Sequence, residues 1–265
     1  MPELPDVEVF KHFVDDTSLH QRIARSAILH PKIVRSMPGK KLTQLLKGRK
    51  LENTHRHGKV LFIELDAAKG WLWFHFGMTG YFTSGKKQDP EPENHIRFIL
   101  KFTTGCLLRF HCSRLFGQAG WAADVEDYLL RHKLGPDALA MSQKEFIQRC
   151  QNTPGGVKAA LMNQSLIAGI GNVYSDEILF KSRLHPQHSM KSLDTATLRR
   201  LYRNLRSVLM RAIKYHADPQ KMPDSWLLHH RHAKATCPRC GGRITRMTVH
   251  QRSAYFCQSC QRKRA

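Results

Sequence analysis

The chain begins Met1-Pro2-Glu3, a start that can place a reactive amine beside a carboxylate. Removal of the initiator Met is favoured when a small residue follows, and it leaves Pro2 as a secondary amine at the chain terminus. A terminal amine has a pKa of about 7.7 to 8.0, so roughly a tenth of it is neutral at pH 7. A neutral amine can attack a carbon at the aldehyde oxidation level and form an iminium, as lysines do in Schiff-base enzymes. Proline and glutamate are common at these positions, so the pair alone does not establish catalysis.

Two cysteine pairs near the C-terminus form a second candidate site. Cys237-Pro-Arg-Cys240 and Cys257-Gln-Ser-Cys260 are separated by 16 residues, a spacing typical of a tetrahedral four-cysteine zinc site. Because four thiolates complete the coordination shell, the predicted ion is structural and contributes folding energy. The remaining cysteines are predicted to be buried thiols, and they are Cys106, Cys112 and Cys150.

The sequence between the cysteine pairs predicts a hairpin with an exposed tip. Residues 244–249 and 253–256 have the composition of two short strands, with 250–252 at the tip. Arg252 on such a zinc-stabilised hairpin could bind a phosphate bidentately. The alternative is that Arg252 is only a solvated residue on a turn.

A glycine-containing segment at 167–174, Ile-Ala-Gly-Ile-Gly-Asn-Val-Tyr, carries a third motif. A helix over about 158–166 is predicted to stop at Gly169, and Asn172 can cap a following helix through Leu179. A helix, a glycine turn and a second helix leave unsatisfied backbone N–H groups that can bind a phosphate. The segment does not follow a strand, as a dinucleotide-binding fold would require.

Hydrophobic periodicity predicts the elements that carry these residues. Residues 5–19 have apolar side chains at helical spacing, so a helix should hold the N-terminus. Strands are predicted over 60–65, 71–76 and 95–102, separated by turn-forming clusters. After Asp124 the pattern favours helices, with 133–137 as a linker and an amphipathic helix capped by Asp194. Residues 216–236 predict no regular element.

The charge of the chain indicates its class of partner. Its 265 residues include 43 Lys and Arg against 21 Asp and Glu, a formal net charge of +22. This excess destabilises a compact state unless a polyanion binds, which makes nucleic acid the leading partner and an anionic membrane the alternative. No apolar run reaches the roughly 18 residues that span a bilayer, and the acidic N-terminus is unlike a signal peptide. We therefore expect a two-domain protein of the cytoplasm or nucleoid, without a membrane partner.

Several segments together resemble the formamidopyrimidine-DNA glycosylase/endonuclease VIII family in order and spacing. They cover essentially the whole chain and are the start through Glu8, Arg56-His-Gly-Lys59, Phe76-Gly-Met-Thr-Gly80, Arg114-Leu-Phe-Gly117, residues 161–180 and the cysteine hairpin. The resemblance implies an α+β fold. It has an N-terminal helix plus β-sandwich over 1–130, a helical domain with a helix-two-turn-helix over 131–235, and a zinc finger over 236–265.

The resemblance also implies a bifunctional base-excision glycosylase and abasic-site lyase, a monomer with one structural zinc ion that acts on damaged double-stranded DNA. Pro2 would attack C1′ of an everted nucleotide, and Glu3 would be the general acid at the ring oxygen. The resulting iminium would permit β-elimination and then δ-elimination. Lys59 would bind a phosphate next to the site. Side chains that would fill the vacated stack are Met78, Arg114 and Phe116, and those that would bind flanking phosphates are Asn172 and Arg252.

The chain departs from the family pattern at Asp6, where glutamate is common, and at Leu115, where a second arginine is common. Members specific for 8-oxoguanine carry a longer glycine-rich loop than residues 216–235 provide. Oxidised pyrimidines, ring-opened purines and further-oxidised guanine products therefore stay open as substrates. The alternatives to an enzyme are a non-catalytic zinc-finger protein that senses DNA damage and a zinc-ribbon RNA-binding protein. Both leave Pro2 and Glu3 unexplained.

Overall fold

The chain folds into two compact units, each with a hydrophobic core of its own. The computed structural model describes residues 1–66, 69–86, 95–232 and 234–262. One unit consists of Met1–Pro2 and Asp6–His132, and the other of Glu3–Pro5 and Lys133–Ala265. Within the described part of the chain, no helix is long and apolar enough to cross a membrane.

Helix α1 (Leu4–Ser18) begins directly after Glu3, and both of its ends lie one residue earlier than the predicted range of 5–19. Val7 and Val14 are fully buried, and Phe10 packs partly buried against the same core, as the helical spacing predicts. Asp6 lies in the first turn, where its charge complements the positive end of the helix dipole.

Two sheets form the body of the first unit. Their strands in chain order are β1 (Ile23–Ile28), β2 (Val34–Arg35), β3 (Leu51–His57), β4 (Val60–Leu65), β5 (Trp71–His75), β6 (Gly80–Gly85), β7 (Ile96–Phe102), β8 (Leu107–Cys112) and β9 (Gln118–Ala122). One sheet has the order β2-β9-β5-β4-β3 and the other the order β1-β7-β8-β6. Two short helices, α2 (Gly39–Leu46) and α3 (Val125–Arg131), belong to the same unit.

Aromatic side chains pack the two sheets against each other. The ring of Phe74 on β5 lies 5.0 Å from Phe82, 5.6 Å from Phe98 and 5.2 Å from Phe110, all on the other sheet. Strand β7 alternates between buried and half-buried residues, as its sequence predicts. The predicted N-terminal helix and β-sandwich are therefore confirmed.

Four helices build most of the second unit: α4 (Gln143–Gln151), α5 (Val157–Met162), α6 (Asn172–Ser182) and α7 (Thr195–Lys214). The predicted cap of α7 is confirmed, because the Asp194 side chain accepts a hydrogen bond from the Thr197 N–H at 2.6 Å. Leu198, Leu201 and Leu205 are fully buried along one stripe of this helix. The arginines of α7 lie mostly off that stripe.

Two predictions about the glycine segment were wrong. Helix α5 ends at Met162 rather than near 166, because the Asn163 Oδ1 accepts hydrogen bonds from the Ser165 N–H at 3.0 Å and hydroxyl at 2.7 Å. This local turn competes with a further helical turn. The N-cap of α6 is Gly171, and Asn172 is the first residue of the helix rather than its cap.

The C-terminal part of the second unit contains the predicted hairpin. Strands β10 (Ile244–Val249) and β11 (Arg252–Cys257) pair antiparallel, and His250 and Gln251 connect them with φ values of 45° and 60°. Two consecutive residues with positive φ form the turn that best matches the twist of a hairpin. The stretch predicted to be irregular contains two short 3-10 helices, Pro219–Lys221 and Leu227–His230.

Candidate active site

The Glu3 carboxylate occupies the N-terminal end of helix α6. It accepts hydrogen bonds from the backbone N–H groups of Gly171 at 2.6 Å, Val173 at 2.8 Å and Tyr174 at 3.3 Å. Glu3 is only 1% exposed, so these donors replace water around a charged group. Three of the backbone N–H groups that were predicted to bind a phosphate therefore bind this carboxylate instead.

The glycines of the segment are needed because the N-terminal residues approach the backbone closely. A Cβ on Gly171 would collide with the Glu3 carboxylate, and one on Gly169 would lie 2.6 Å from the Leu4 side chain. Gly169 also has a φ of 113°, which disfavours other residues. Its carbonyl accepts the Leu4 N–H at 3.0 Å, so the segment holds the main chain next to Glu3 as well as its side chain.

Asn172 begins helix α6 directly beside these donors. Its side chain is half-buried, and its Oδ1 has no hydrogen-bond partner within the residues that the structure describes. Its main-chain carbonyl accepts from Arg231 Nη2 at 3.5 Å. The backbone of Asn172 is thus fixed beside the N–H groups that bind Glu3.

A buried charged cluster joins α5, α6 and strand β11, and sequence reasoning missed it. Lys158 and Asp176 form an ion pair in which both side chains are 0% exposed. Asp176 Oδ2 also accepts from Arg231 Nε at 3.2 Å and Nη2 at 3.0 Å and from the Tyr255 N–H at 3.2 Å, while Lys158 Nζ donates to the Ser253 carbonyl at 3.3 Å. Burial lowers the pKa of Lys158, and the Asp176 carboxylate opposes this effect.

This cluster fixes the hairpin strand on which Arg252 lies. Ser253 and Tyr255 follow Arg252 on β11, and both are tied to charged side chains of the helices. Arg252 itself is exposed at the start of the strand, opposite Val249. The one signal in the sequence was Lys158 within the otherwise apolar helix α5, which predicts a partner but does not identify it.

The three residues predicted to enter a vacated base stack lie on one surface of the first unit. Arg114 follows β8, and its guanidinium carbon lies 5.4 Å from the centroid of the Phe116 ring. The Arg114 N–H donates to the Thr79 hydroxyl at 3.3 Å, next to Met78 in the turn between β5 and β6. Met78 is 37% exposed and Phe116 is 53% exposed. These exposures leave the side chains accessible to a ligand, while the contact between Arg114 and Phe116 is also consistent with the alternative of packing within a strand and turn.

Lys59 lies in the turn between β3 and β4 and affects His75, which sequence reasoning also missed. Burial, then the charge of Lys59 and that of His132, lower the pKa of His75 to about 4. His75 Nδ1 accepts the Gly77 N–H at 3.3 Å, so the neutral ring carries its proton on Nε2. A neutral N–H donor thus lies in the vicinity of the Lys59 cation.

The four predicted zinc ligands converge at the base of the hairpin. Their sulfur atoms lie within 4.8 Å of one another, with Sγ–Sγ distances of 4.0 Å for Cys237–Cys260 and 3.6 Å for Cys240–Cys257. A tetrahedral zinc site with bonds of about 2.3 Å has sulfur atoms about 3.8 Å apart. The Arg239 N–H also lies 3.4 Å from Cys237 Sγ, where it can stabilise a thiolate. The donor set and its spacing fit one zinc ion.

Comparison with known families matches the chain in three consecutive parts. Residues 1–119 match the formamidopyrimidine-DNA glycosylase N-terminal domain, and 134–223 match the formamidopyrimidine-DNA glycosylase H2TH domain. Residues 236–262 match the zinc finger found in FPG and IleRS. This chain belongs to the formamidopyrimidine-DNA glycosylase family.

Relatives of full length support the assignment to the formamidopyrimidine-DNA glycosylase family. The chain is 31% identical over 272 residues to the formamidopyrimidine-DNA glycosylase of Pelobacter propionicus, covering 98% of this chain and 100% of the relative. It is 34% identical over 279 residues to that of Acidothermus cellulolyticus, covering 98% of this chain and 97% of the relative.

Solved structures show the same relationship. A Lactococcus lactis Fpg in complex with DNA containing an abasic site has a TM-score of 0.89 at 25% identity, covering 98% of this chain and 100% of that one. Wild-type L. lactis Fpg in complex with DNA containing N7-benzyl-Fapy-dG also has a TM-score of 0.89 at 25% identity, covering 99% and 100%.

Membership of this family confirms the enzyme class and the metal expected from the sequence. The chain is a DNA glycosylase of base excision repair, and a non-catalytic damage sensor is not favoured. The four cysteines form the site of one structural zinc ion. The individual catalytic and DNA-binding residues remain predictions.

Proposed function

We propose that this glycosylase excises oxidised bases from double-stranded DNA through a Schiff base on Pro2 and then cleaves the strand as a lyase. The observation that carries the proposal is the fixed position of Glu3, whose carboxylate is held by three backbone N–H groups. A single peptide bond separates Glu3 from Pro2, so fixing Glu3 restricts where the amine can lie. Catalysis depends on such orientation of the reacting groups.

In the proposed reaction, the Pro2 nitrogen forms a bond to C1′ while the bond from C1′ to the base breaks, and the base leaves with the electron pair. The attacking nitrogen passes its own proton to the Glu3 carboxylate, which then donates that proton to the ring oxygen as the C1′–O4′ bond opens and the nitrogen lone pair forms the C=N bond. The product is an iminium between Pro2 and C1′, which acidifies the C2′ hydrogen. Loss of that proton expels the 3′ phosphate by β-elimination, and a second elimination expels the 5′ phosphate.

Positioning of the DNA is assigned to residues that bind phosphates or replace the everted nucleotide. Lys59, Asn172 and Arg252 would bind phosphates near the lesion, which fixes register without reading sequence. Eversion costs a few kcal/mol, and an inserted side chain restores part of the lost stacking. The exposure of Met78 and the contact between Arg114 and Phe116 support this second role.

The proposed substrates are oxidised pyrimidines, ring-opened purines and further-oxidised guanine products, rather than 8-oxoguanine in particular. The segment before Cys237 supports this choice because it is packed rather than looped out. Trp226 is 1% exposed, the Leu228 N–H donates to Glu177 at 3.1 Å, and Arg231 binds Asp176. Little of the segment is left to cover an extruded base. We further propose that the enzyme acts as a monomer inside the cell.

Borohydride trapping on duplexes that each carry one defined lesion tests the proposed chemistry. Wild type should form a covalent adduct and nick the strand, Pro2→Gly, whose terminal amine is primary and unconstrained by a ring, should do both far more weakly, and Glu3→Gln should lose base release first. A residue or tag in front of Pro2 should abolish trapping but leave DNA binding nearly intact. If wild type gives no adduct and no nick on any lesion, abasic sites included, the proposed mechanism is wrong.

A further inference from the structure

A second cationic site lies in the second unit, at a cavity of about 870 Å³. The cavity is bordered by the end of helix α6, the start of helix α7 and the residues around Cys260. Its lining includes four cationic side chains, namely Lys181, Arg183, Arg200 and Arg262. A volume of this size is within the range of ligand-binding pockets.

Among the residues that the structure describes, Lys181 pairs with Glu177, and most of the remaining positive charge of this cavity has no ion-pair partner. Three of its arginines are exposed and, among the residues that the structure describes, form no ion pair: Arg183, Arg200 and Arg262. Asp194 is the only acidic residue in the described lining, and its carboxylate accepts the Thr197 N–H at the start of α7. The cavity therefore keeps a net positive charge and selects for anions.

One of these arginines occupies a position that usually favours glycine. Arg183 ends helix α6 in the left-handed conformation, with a φ of 54°. Glycine is the residue that adopts this conformation most easily at a helix end. The chain instead carries a guanidinium there, which projects a charge toward the cavity from the end of the helix.

The cavity lies away from the residues proposed to bind phosphates near the lesion. Asn172 begins helix α6 and Ser182 ends it, so the two residues are about 15 Å apart along the axis. Arg252 begins strand β11 and Cys257 ends it, a distance of about 17 Å along the strand. The cavity is at the far end of both elements.

We propose that this cavity binds the phosphodiester backbone of a second DNA segment while the first segment is held at the active site. Guanidinium groups bind phosphates bidentately, and the hydroxyl of Ser259 in the lining can donate to the same oxygens. No Phe, Tyr or Trp lines the described part of the cavity, so neither bases nor the aromatic side chains of a peptide would find a stacking surface. Base excision requires no second segment, so this site adds to the proposed function. It would let the enzyme pass between DNA segments.

A bridging experiment tests the second site. Full-length protein is first saturated with a donor-labelled duplex carrying a stable abasic-site analogue, and an acceptor-labelled undamaged duplex is then added. Energy transfer should appear with wild type. The triple variant Arg183→Gln/Arg200→Gln/Arg262→Gln should bind the second duplex about tenfold or more weakly than wild type. Loss of three phosphate contacts should lower the salt dependence of second-segment binding by about 2 to 3 in log–log slope.

A matched variant separates the cavity from overall charge. Arg199→Gln/Arg203→Gln/Arg211→Gln changes the same number of exposed arginines on α7 outside the cavity, and it should bridge like wild type. Equal loss in both variants, or no bridging by a wild type that binds the first duplex, would overturn the proposal. Capture of a labelled poly-glutamate peptide in place of the second duplex would assign the cavity to a protein partner instead. Failure to bind the first duplex would contradict the proposed function itself.

Discussion

Glu177 on helix α6 makes the stability of the second unit depend on pH near neutrality. The side chain is 1% exposed, and its Oε2 accepts the Leu228 N–H at 3.1 Å. Lys181 Nζ lies 3.6 Å from Oε1, too far for a good hydrogen bond. Burial, partly opposed by Lys181, raises the pKa of Glu177 from 4.5 to about 7.

The direction of this pH dependence is set by the state that binds the Glu177 proton more tightly, which is the folded state. Between pH 4.5 and about 7 the folded chain keeps this proton while the unfolded chain loses it. The stabilisation that comes from the preferential protonation of Glu177 in the folded state is therefore fully present below pH 4.5 and is lost as pH rises through about 7. The difference between the two pKa values corresponds to about 3 kcal/mol, of which about 2.5 kcal/mol is lost between pH 5 and pH 8.

The variant Glu177→Gln removes the titration and keeps an oxygen that can accept from Leu228. We expect the stability of wild type relative to this variant to fall by about 2.5 kcal/mol from pH 5 to pH 8. Urea unfolding followed by tryptophan fluorescence measures it, because Trp226 is buried in the segment that Glu177 holds. Taking the difference at each pH cancels the other titrating groups.

Glu145→Gln is the control, since Glu145 is 39% exposed in a surface pair with Arg149. The difference in free energy of unfolding between Glu145→Gln and wild type should vary by no more than about 0.5 kcal/mol over the same pH range. A pH-independent difference for Glu177→Gln would show that Lys181 keeps the carboxylate ionised, and the reasoning from burial would then be wrong.

Three further predictions concern the site and its support. Gly171→Ala should reduce borohydride trapping about tenfold or more, because the added Cβ displaces the Glu3 carboxylate, whereas Gly156→Ala at the corresponding cap of α5 should change trapping little. Asp176→Asn should destabilise the second unit by about 3 to 5 kcal/mol in urea unfolding, since it leaves buried cations without their carboxylate; a loss under about 1 kcal/mol would contradict this. Arg252→Ala, or chelation of zinc, should weaken DNA binding equally for all sequences, and Arg252→Ala should lower the salt slope by about 1.

The sequence predicted best those features that depend on local spacing. The cysteine pairs, the helix after Asp194 and the alternation of strand β7 were all predicted, because each follows from residues a few positions apart. Strand β3 was missed because its only aliphatic residue is Leu51 and because the strand lies at the edge of its sheet. Such a strand is specified by its pairing with β4, which no local pattern reveals.

Contacts between distant parts of the chain could not be predicted. The N–H groups at Gly171 were assigned to a phosphate because nothing in the local sequence shows that Glu3, 168 positions away, accepts them. The partners of Asp176 come from three separate segments, and one of them is the backbone of Tyr255. The neutral state of His75 depends on burial and on the nearby Lys59 charge, which exist only in the folded unit.

The long separation between Glu3 and its donors also sets an order of events during synthesis. Gly171 leaves the ribosome 168 residues after Glu3. At typical rates of translation this takes about 8 to 34 seconds. Throughout that interval the carboxylate lacks the helix end that later holds it, and a peptidase can remove Met1 from a terminus not yet tied to α6. In the proposed mechanism, the nascent chain would therefore carry the Pro2 amine before the site that orients it has formed, and a ribosome that stops before Gly171 releases a product without the helix end that binds Glu3.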